Sequence, residues 1–480
     1  MTTKTDVDVI VVGSGPNGLA AAITLQQKGL QVLILEAHDQ IGGGMRTKSL
    51  TLPSFRHDVC SAVHPMAMVS PFFKSLPLSN YGLEYLFPPN DLAHPFDDRT
   101  SATLTRSVFE TAEQFGSDAS FYQKLIGAHQ VHWEEIMDSL LNTAKIPSSD
   151  KLRNYLSFGA KALTSASFIA RFFSDERLKA FWAGMAAHSI QPLSSLATSA
   201  IALVLLGNGH HAGWPIPVGG SQSIADALAG YFQSIGGRIE VGCKVDALGQ
   251  LPSTKAVVFD VGPKQLLKIA GHKFSSLYSY QLNRYRYGMG IFKIDWALSD
   301  AIPFTNKSCH QAGTVHIGNS YAEIYDSEST MAKGKISTDP FVILSQPSVF
   351  DSSRAPSGKH VAWGYCHVPK GSTKDMSDAI ERQIERFAPG FKECIMARHT
   401  MDTEKIEHYN ANYVGGDINS GQMSLSQIFT RPALRSSPYR TSTKGLYICS
   451  AATPPGPGVH GMGGFNCARQ VLKDIFRIEI

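Results

Sequence analysis

The hexapeptide Gly13-Ser14-Gly15-Pro16-Asn17-Gly18 constrains this chain more than any other feature. It follows VDVIVV at 7–12, an apolar run short enough for a buried strand, and opens 16–28, where Leu19, Ala22, Ile23 and Leu25 recur at helical spacing. A second apolar run, QVLILE at 31–36, reads as another strand, so the opening is a βαβ unit with parallel strands. In a G-x-G-x-x-G turn of this kind, Gly13 permits the tight turn. Gly15 lets the backbone approach a pyrophosphate, and Gly18 lets helix and strand pack closely. Pro16 and Asn17 stand in the first helical turn, whose amides and dipole face the phosphates. Glu36 closes the second strand, where a carboxylate can accept hydrogen bonds from ribose hydroxyls, and Ala37 follows it.

Composition narrows what the rest can be. The chain has 480 residues, with 44 Lys and Arg against 40 Asp and Glu, a formal net charge of +4. No run of five or six like charges appears, so no nucleic-acid partner is expected. Seven scattered cysteines form no CxxC pair, which predicts no metal site and fits a reducing, cytoplasmic setting. No P-loop, HExxH or GxSxG supports an NTPase, zincin or hydrolase. The polar start, MTTKTDVD, reads as no secretory signal. The apolar stretch at 196–206 is too short to span a bilayer. The segment from Tyr155 to Phe173 is amphipathic and carries Lys161 and Arg171. That pattern can lie on a membrane surface as a peripheral contact, although its commoner use is a core-facing helix.

The periodicity predicts interleaved domains. Residues 1–75, 210–275 and 440–480 form a discontinuous α/β nucleotide-binding domain of Rossmann type. Residues 76–209 form a helical cap insertion, helical over 107–145 and 151–206. Residues 276–439 form an antiparallel-sheet α+β substrate domain. Ser221 reads as the cap of a helix over 221–235.

A second glycine turn, Gly42-Gly43-Gly44-Met45-Arg46, stands close behind Glu36 and suits a cofactor longer than one βαβ unit can hold. Near the far end, 445–469 (GLYICSAATPPGPGVHGMGGFNCAR) reads as a buried strand, a Pro/Gly turn and a helix. With WPIPVGGSQSIADALAGYF and GGRIEVGCKV between them, these motifs resemble the phytoene-desaturase-like FAD-dependent oxidoreductases, of flavin amine oxidase type. FRHDVCSAVHPMAMVSPFF, GMAAHSIQPLSSLATSA and YVGGDINSGQ resemble the pyridine nucleotide-disulfide oxidoreductase domain-containing branch of that family. The resemblance implies FAD. It assigns cofactor contacts to Gly13, Gly15, Pro16, Asn17, Gly18, Glu36, Ala37, Gly43, Gly44, Met45, Arg46, Val245, Ala451, Gly458, Val459 and Gly463. Two departures stand out. Gly44 occupies the place where the family usually has an arginine, with Arg46 two residues later. Only residues 247–255 separate two strands that the family usually joins through a β-hairpin.

A flavin accepts hydride, so the protein must hold a substrate C–H near it, exclude water and, where a proton leaves too, supply a base. His460, in the C-terminal loop, His64 and His188 are the candidate catalytic residues. Asp58, Asp417, Tyr413 and Asn419 are further polar candidates, with loop capping as the alternative role of the two acids. The expectation is hydride transfer from a hydrophobic small molecule to FAD, by C–C desaturation. The alternatives are an amine oxidase of the same fold, a flavin-stabilised binding protein without turnover and an NAD-dependent dehydrogenase.

Overall fold

The structure, a computed structural model, describes residues 7–142 and 149–479. The opening residues 1–6 and the end of the expected helical stretch, 143–145, lie outside them. Two sheets organise the molecule. The first has five parallel strands in the order Leu446–Ile448, Ala256–Phe259, Val9–Val12, Val32–Leu35 and Arg238–Glu240. The VIVV, VLIL and AVVF strands are buried along their whole length, as parallel strands covered on both faces must be. Its strands come from three distant parts of the chain.

Helix Pro16–Gln26 covers one face, with proline in its first turn, where no amide partner is lost. Helix Met462–Val471 packs against it so closely that a Cβ on Gly464 would lie 1.8 Å from the Asn17 carbonyl oxygen. The first and last helices thus lie side by side over one sheet.

The second sheet has seven strands: Ile395–Met401, Gly290–Leu298, His360–Val368, Val342–Ser345, Ala312–Ile317, Asn90–Pro95 and Ser101–Leu104. All pairs are antiparallel except Ala312–Ile317 with Asn90–Pro95. The last two strands correct the expected domain division, because they belong to 76–209, read from sequence as a helical insertion. Asn90–Pro95 is buried at every position, so it shows no alternation, and its parallel partner lies over two hundred residues away. Helices do fill the rest of that insertion, from Val108 to His211 (residues 143–148 aside). Trp133 and Trp182 anchor their core, and each indole is satisfied: Trp133 Nε1 donates to Asn208 Oδ1 (2.8 Å) and Trp182 Nε1 to the Ala166 carbonyl (3.0 Å).

The amphipathic stretch from Tyr155 to Phe173 is not one helix. Ser149–Ala162 ends, and Ala166–Ala170 restarts behind Ser165, whose hydroxyl accepts from the Phe168 amide (3.2 Å). Among the described residues no helix is long and apolar enough to cross a membrane.

Candidate functional site

A cavity of about 460 Å³ opens where the parallel strands end and faces one side of the seven-stranded sheet. Gly13–Asn17 follow strand Val9–Val12, Glu36–His38 follow Val32–Leu35, Asp260 follows Ala256–Phe259, and Ser450–Ala451 come after Leu446–Ile448; all line it. This is where open α/β sheets hold ligands, because the loops at carboxyl strand ends bring several backbone amides together. Of the expected cofactor residues, Gly13, Gly15, Pro16, Asn17, Glu36, Ala37, Gly43, Gly44, Met45, Arg46, Val245, Ala451, Gly458 and Val459 line the cavity. Gly18 and Gly463 stand behind the wall. A Cβ on Gly18 would lie 2.1 Å from the Gly13 carbonyl oxygen, the close helix–strand packing that the motif demands.

Glu36 ties this end together. One carboxylate oxygen accepts from the Ser14 amide (3.0 Å) and hydroxyl (2.5 Å), and the other from the His38 amide (2.9 Å) and from Arg46 Nη2 (3.1 Å). Arg46 is buried, gives its Nε–H to the Gln40 carbonyl (2.8 Å) and lies over the Tyr409 ring. The two glycine turns are therefore clamped to each other through a buried ion pair.

Asp260, at the end of AVVFD, went unsingled in the sequence. Its Oδ2 accepts from the Gly18 amide (2.9 Å), and a Cβ on Gly15 would lie 2.6 Å from that oxygen. Burial, aided by the nearby Glu36 charge, pushes its carboxyl up to about 7 against the amides that favour ionisation. The signal was available, since an acid at a carboxyl strand end beside the first turn can reach the cofactor loop.

The opposite wall is built on a sheet face. Trp363 and Tyr365 alternate along one strand and stack at 5.9 Å and 7° between ring planes. Directly across from them stand Asp295 and Lys293, and Ile343 pairs Tyr365 from the other side. Trp363, Tyr365, Ile343, Thr314, Ile190, Leu205 and Trp214 line the cavity. On that same face the buried Lys293 ammonium ion-pairs with Asp295 and lies 5.8 Å from the centroid of the Trp363 ring. Burial opposes ionisation of Asp295, but Lys293, His399 and His57 outweigh it and hold its pKa below the carboxylate range. None of these residues stood out in sequence; only the alternation within VAWGYCHV hinted that Trp363 and Tyr365 share a face.

The three candidate histidines separate. His64 and His188 line the cavity. The Ser221 hydroxyl donates to the Ser61 carbonyl (2.6 Å), so it accepts from His64 Nε2 (2.8 Å), and His64 Nδ1 is the unprotonated nitrogen. This use of its hydroxyl also corrects the reading of Ser221 as a helix cap; it makes no capping bond. His188 Nε2 meets His316 Nε2 at 2.9 Å. Burial lowers His64 to about 4 and His188 to about 3, so both are neutral at ordinary pH. His460 is buried away from the wall. Its Nε2 donates to the Gly456 carbonyl (3.2 Å) and its Nδ1 accepts from the Met462 amide (3.0 Å), so it staples the C-terminal loop.

The acids are likewise consumed. Asp58 ion-pairs with Arg354 and accepts from Thr47 (2.7 Å) and the Ser221 amide (2.8 Å). Asp417 accepts from the Gly288, Asn419 and Gly421 amides at 2.7–3.0 Å, the loop-capping role. Tyr413 and Asn419 do line the cavity.

The residues present fit a flavin dinucleotide. The glycine cradle has no room for a side chain beside Asp260, and polar strand-end loops lead without interruption into an apolar chamber. Fold and site together define a FAD-dependent oxidoreductase. A family model described as flavin containing amine oxidoreductase matches residues 17–266, more than half the chain, and the chain belongs to that family. It is 25% identical to the pyridine nucleotide-disulfide oxidoreductase domain-containing protein 2 of Rattus norvegicus, over 98% of this chain and 94% of that one. It is 22% identical to a lycopene-forming phytoene desaturase of Pseudescherichia vulneris, over 94% and 96% respectively. Among solved structures, an oxidoreductase from Methanosarcina mazei superposes with a TM-score of 0.65 at 15% identity, covering 97% of this chain and 100% of that one. A redesigned putrescine oxidase superposes at 0.60 and 15%, covering 98% and 99%.

Proposed function

We propose that this chain oxidises a neutral, hydrophobic substrate by removing hydrogen across a C–C bond, with FAD as acceptor. One observation carries the reading: the charge of the cavity lies at one end. Its charged side chains are Glu36, Arg46, Lys244, Asp246, Asp260 and Lys268, all in the segments that follow the parallel strands. The lining drawn from 60–66, 188–214, 314–365, 410–420 and 450–459 contains no Asp, Glu, Lys or Arg among the described residues. A cationic substrate entering that end would lose its hydration without gaining a counter-charge, which is strongly unfavourable. An apolar substrate gains roughly 25 cal/mol for each Å² it buries there.

FAD bound at the glycine turns supplies the hydride acceptor. Trp214, Trp363, Tyr365, Ile190, Leu205 and Ile343 exclude water and hold the substrate's apolar body. His64 and His188, both neutral, are the wall's imidazole groups with a nitrogen lone pair to take up a proton. Burial keeps both uncharged at rest, and for His64 it outweighs the nearby Asp58 carboxylate.

Anaerobic titration of the purified flavoprotein tests the reading. Detergent-dispersed polyenes should bleach the visible flavin band, and long-chain alkyl amines should leave it unchanged. Bleaching by amines alone would establish the amine-oxidase reading instead. A flavin that no donor bleaches and no acceptor reoxidises would leave a binding protein.

A further inference from the structure

No aspartate or glutamate occurs between Asp260 and Asp295, or between Asp417 and Asp474, in a chain that carries 40 of them. The fold packs these two acid-free stretches against each other. The Leu434 amide donates to Gln281 Oε1 (2.8 Å), the Ser275 amide to Ser442 Oγ (2.9 Å), and Thr443 Oγ1 to the Lys273 carbonyl (2.6 Å). Arg286 reaches Ser426 Oγ (2.9 Å), and Arg435 lies over the Tyr278 ring. Helix Ser276–Asn283, helix Leu425–Thr430 and the loop over 431–444 thus form one surface.

That surface is both basic and apolar. Lys273, Arg284, Arg286, Arg435 and Lys444 are exposed, and among the described residues no carboxylate ion-pairs with any of them. By contrast, the neighbouring Lys264, Lys268 and Arg440 are each paired to an acid from elsewhere. Between the free cations project four large apolar side chains: Leu277 at 67% exposure, Tyr280 at 56%, Phe429 at 70% and Leu434 at 71%. Leu277 and Tyr280 are three apart on one helix face, with Gln281 joining that face to Leu434 and Arg284 stacked on Tyr280.

We propose that this face docks the protein on an anionic lipid surface. Isolated apolar tips fit the acyl boundary just beneath the headgroups, while the surrounding arginines and lysines stay at the level of the phosphates. Cations near such a surface are attracted by its negative potential over about a Debye length, and those without a carboxylate partner break no ion pair on engaging it. The whole chain carries only +4, so this concentration of charge is local. The segment that enters helix Leu425–Thr430 also supplies Ile418, Asn419 and Ser420 to the cavity wall, so the docked face adjoins the chamber. The inference rests on surface chemistry alone and does not depend on what the cavity oxidises.

Co-sedimentation of the flavin-loaded full chain with vesicles tests it. Binding is expected to phosphatidylcholine vesicles doped with phosphatidylglycerol, absent with phosphatidylcholine alone, and reversed by high salt. Arg284→Gln with Arg435→Gln should lower the bound fraction about tenfold, and Leu277→Asp with Leu434→Asp about fivefold. Unchanged flavin content shows that these surface variants fold. No binding to anionic vesicles, or equal binding by the variants, would overturn the proposal. So would loss of binding only on Leu156→Asp with Phe172→Asp, which assigns contact to the helical lobe. Equal retention on poly-glutamate beads, untouched by the leucine substitutions, would assign the face to an acidic protein and overturn it too.

Discussion

The two walls of the cavity are built on different principles. The dinucleotide wall consists of loops at the ends of parallel strands. Its chemistry belongs to backbone amides and to ion pairs among the loops, Glu36 with Arg46 and Asp246 with Lys244 and Lys268. The substrate wall is a sheet face whose chemistry belongs to side chains that meet across strands, such as Tyr365 between Ile343 and Lys293. The first wall tolerates almost no added atom. The second can be reshaped one side chain at a time. Cofactor binding and substrate choice should therefore respond to different substitutions.

Gly18→Val should have the largest effect. The new side chain would collide with the Gly13 carbonyl, and bound flavin per protein should fall about tenfold or more, read from visible absorbance after desalting. Flavin retained at the native ratio would show that the turn can open and would blur the contrast between walls. Next is Glu36→Ala, which strands buried Arg46 and frees both glycine turns. Thermal unfolding of the apoprotein should show a loss of about 3–5 kcal/mol.

Trp363→Ala lies on the other side of the comparison. It should leave the FAD dissociation constant within about twofold while slowing anaerobic bleaching by an apolar donor about tenfold, roughly 1.4 kcal/mol of lost contact. Equal losses of flavin and of bleaching would mean that the two walls are one unit.

The smallest effect is a pH dependence confined to the dinucleotide wall. The Asp260 carboxyl stays protonated up to about pH 7, above its ordinary range. Protonated, it would add no charge to the glycine turn that would hold the cofactor phosphates; ionised, it would repel them. FAD affinity should therefore hold below about pH 7 and weaken a few-fold as pH rises through it, by the linkage between proton and ligand. In Asp260→Asn, isothermal titration should find that slope flattened.

The same contrast explains what the sequence disclosed. Gly13, Gly15, Glu36 and Arg46 announced themselves because a strand, a turn and a helix in succession dictate which backbone atoms converge. The helical lobe and the parallel core were readable for similar reasons, being periodic over contiguous residues. Asn90–Pro95 was not, since its partner strand is far away in the chain and full burial erased its alternation. His460 looked well placed from its loop, yet hydrogen bonds to Gly456 and Met462 turn it into a staple. The acid-free surface joins two segments well over a hundred residues apart, so neither stretch alone betrays it.

The sequence by itself determined the cofactor end of this protein: a parallel αβ core, a glycine cradle and an acid at the end of the second strand. Those follow from local geometry, in which residues a turn apart must meet. Only the tertiary structure decided the substrate end, the neutrality of His64 and His188, the role of Asp260 and the exposed basic face. Each depends on groups brought together across the chain, where burial and cross-strand pairing set both charge state and access.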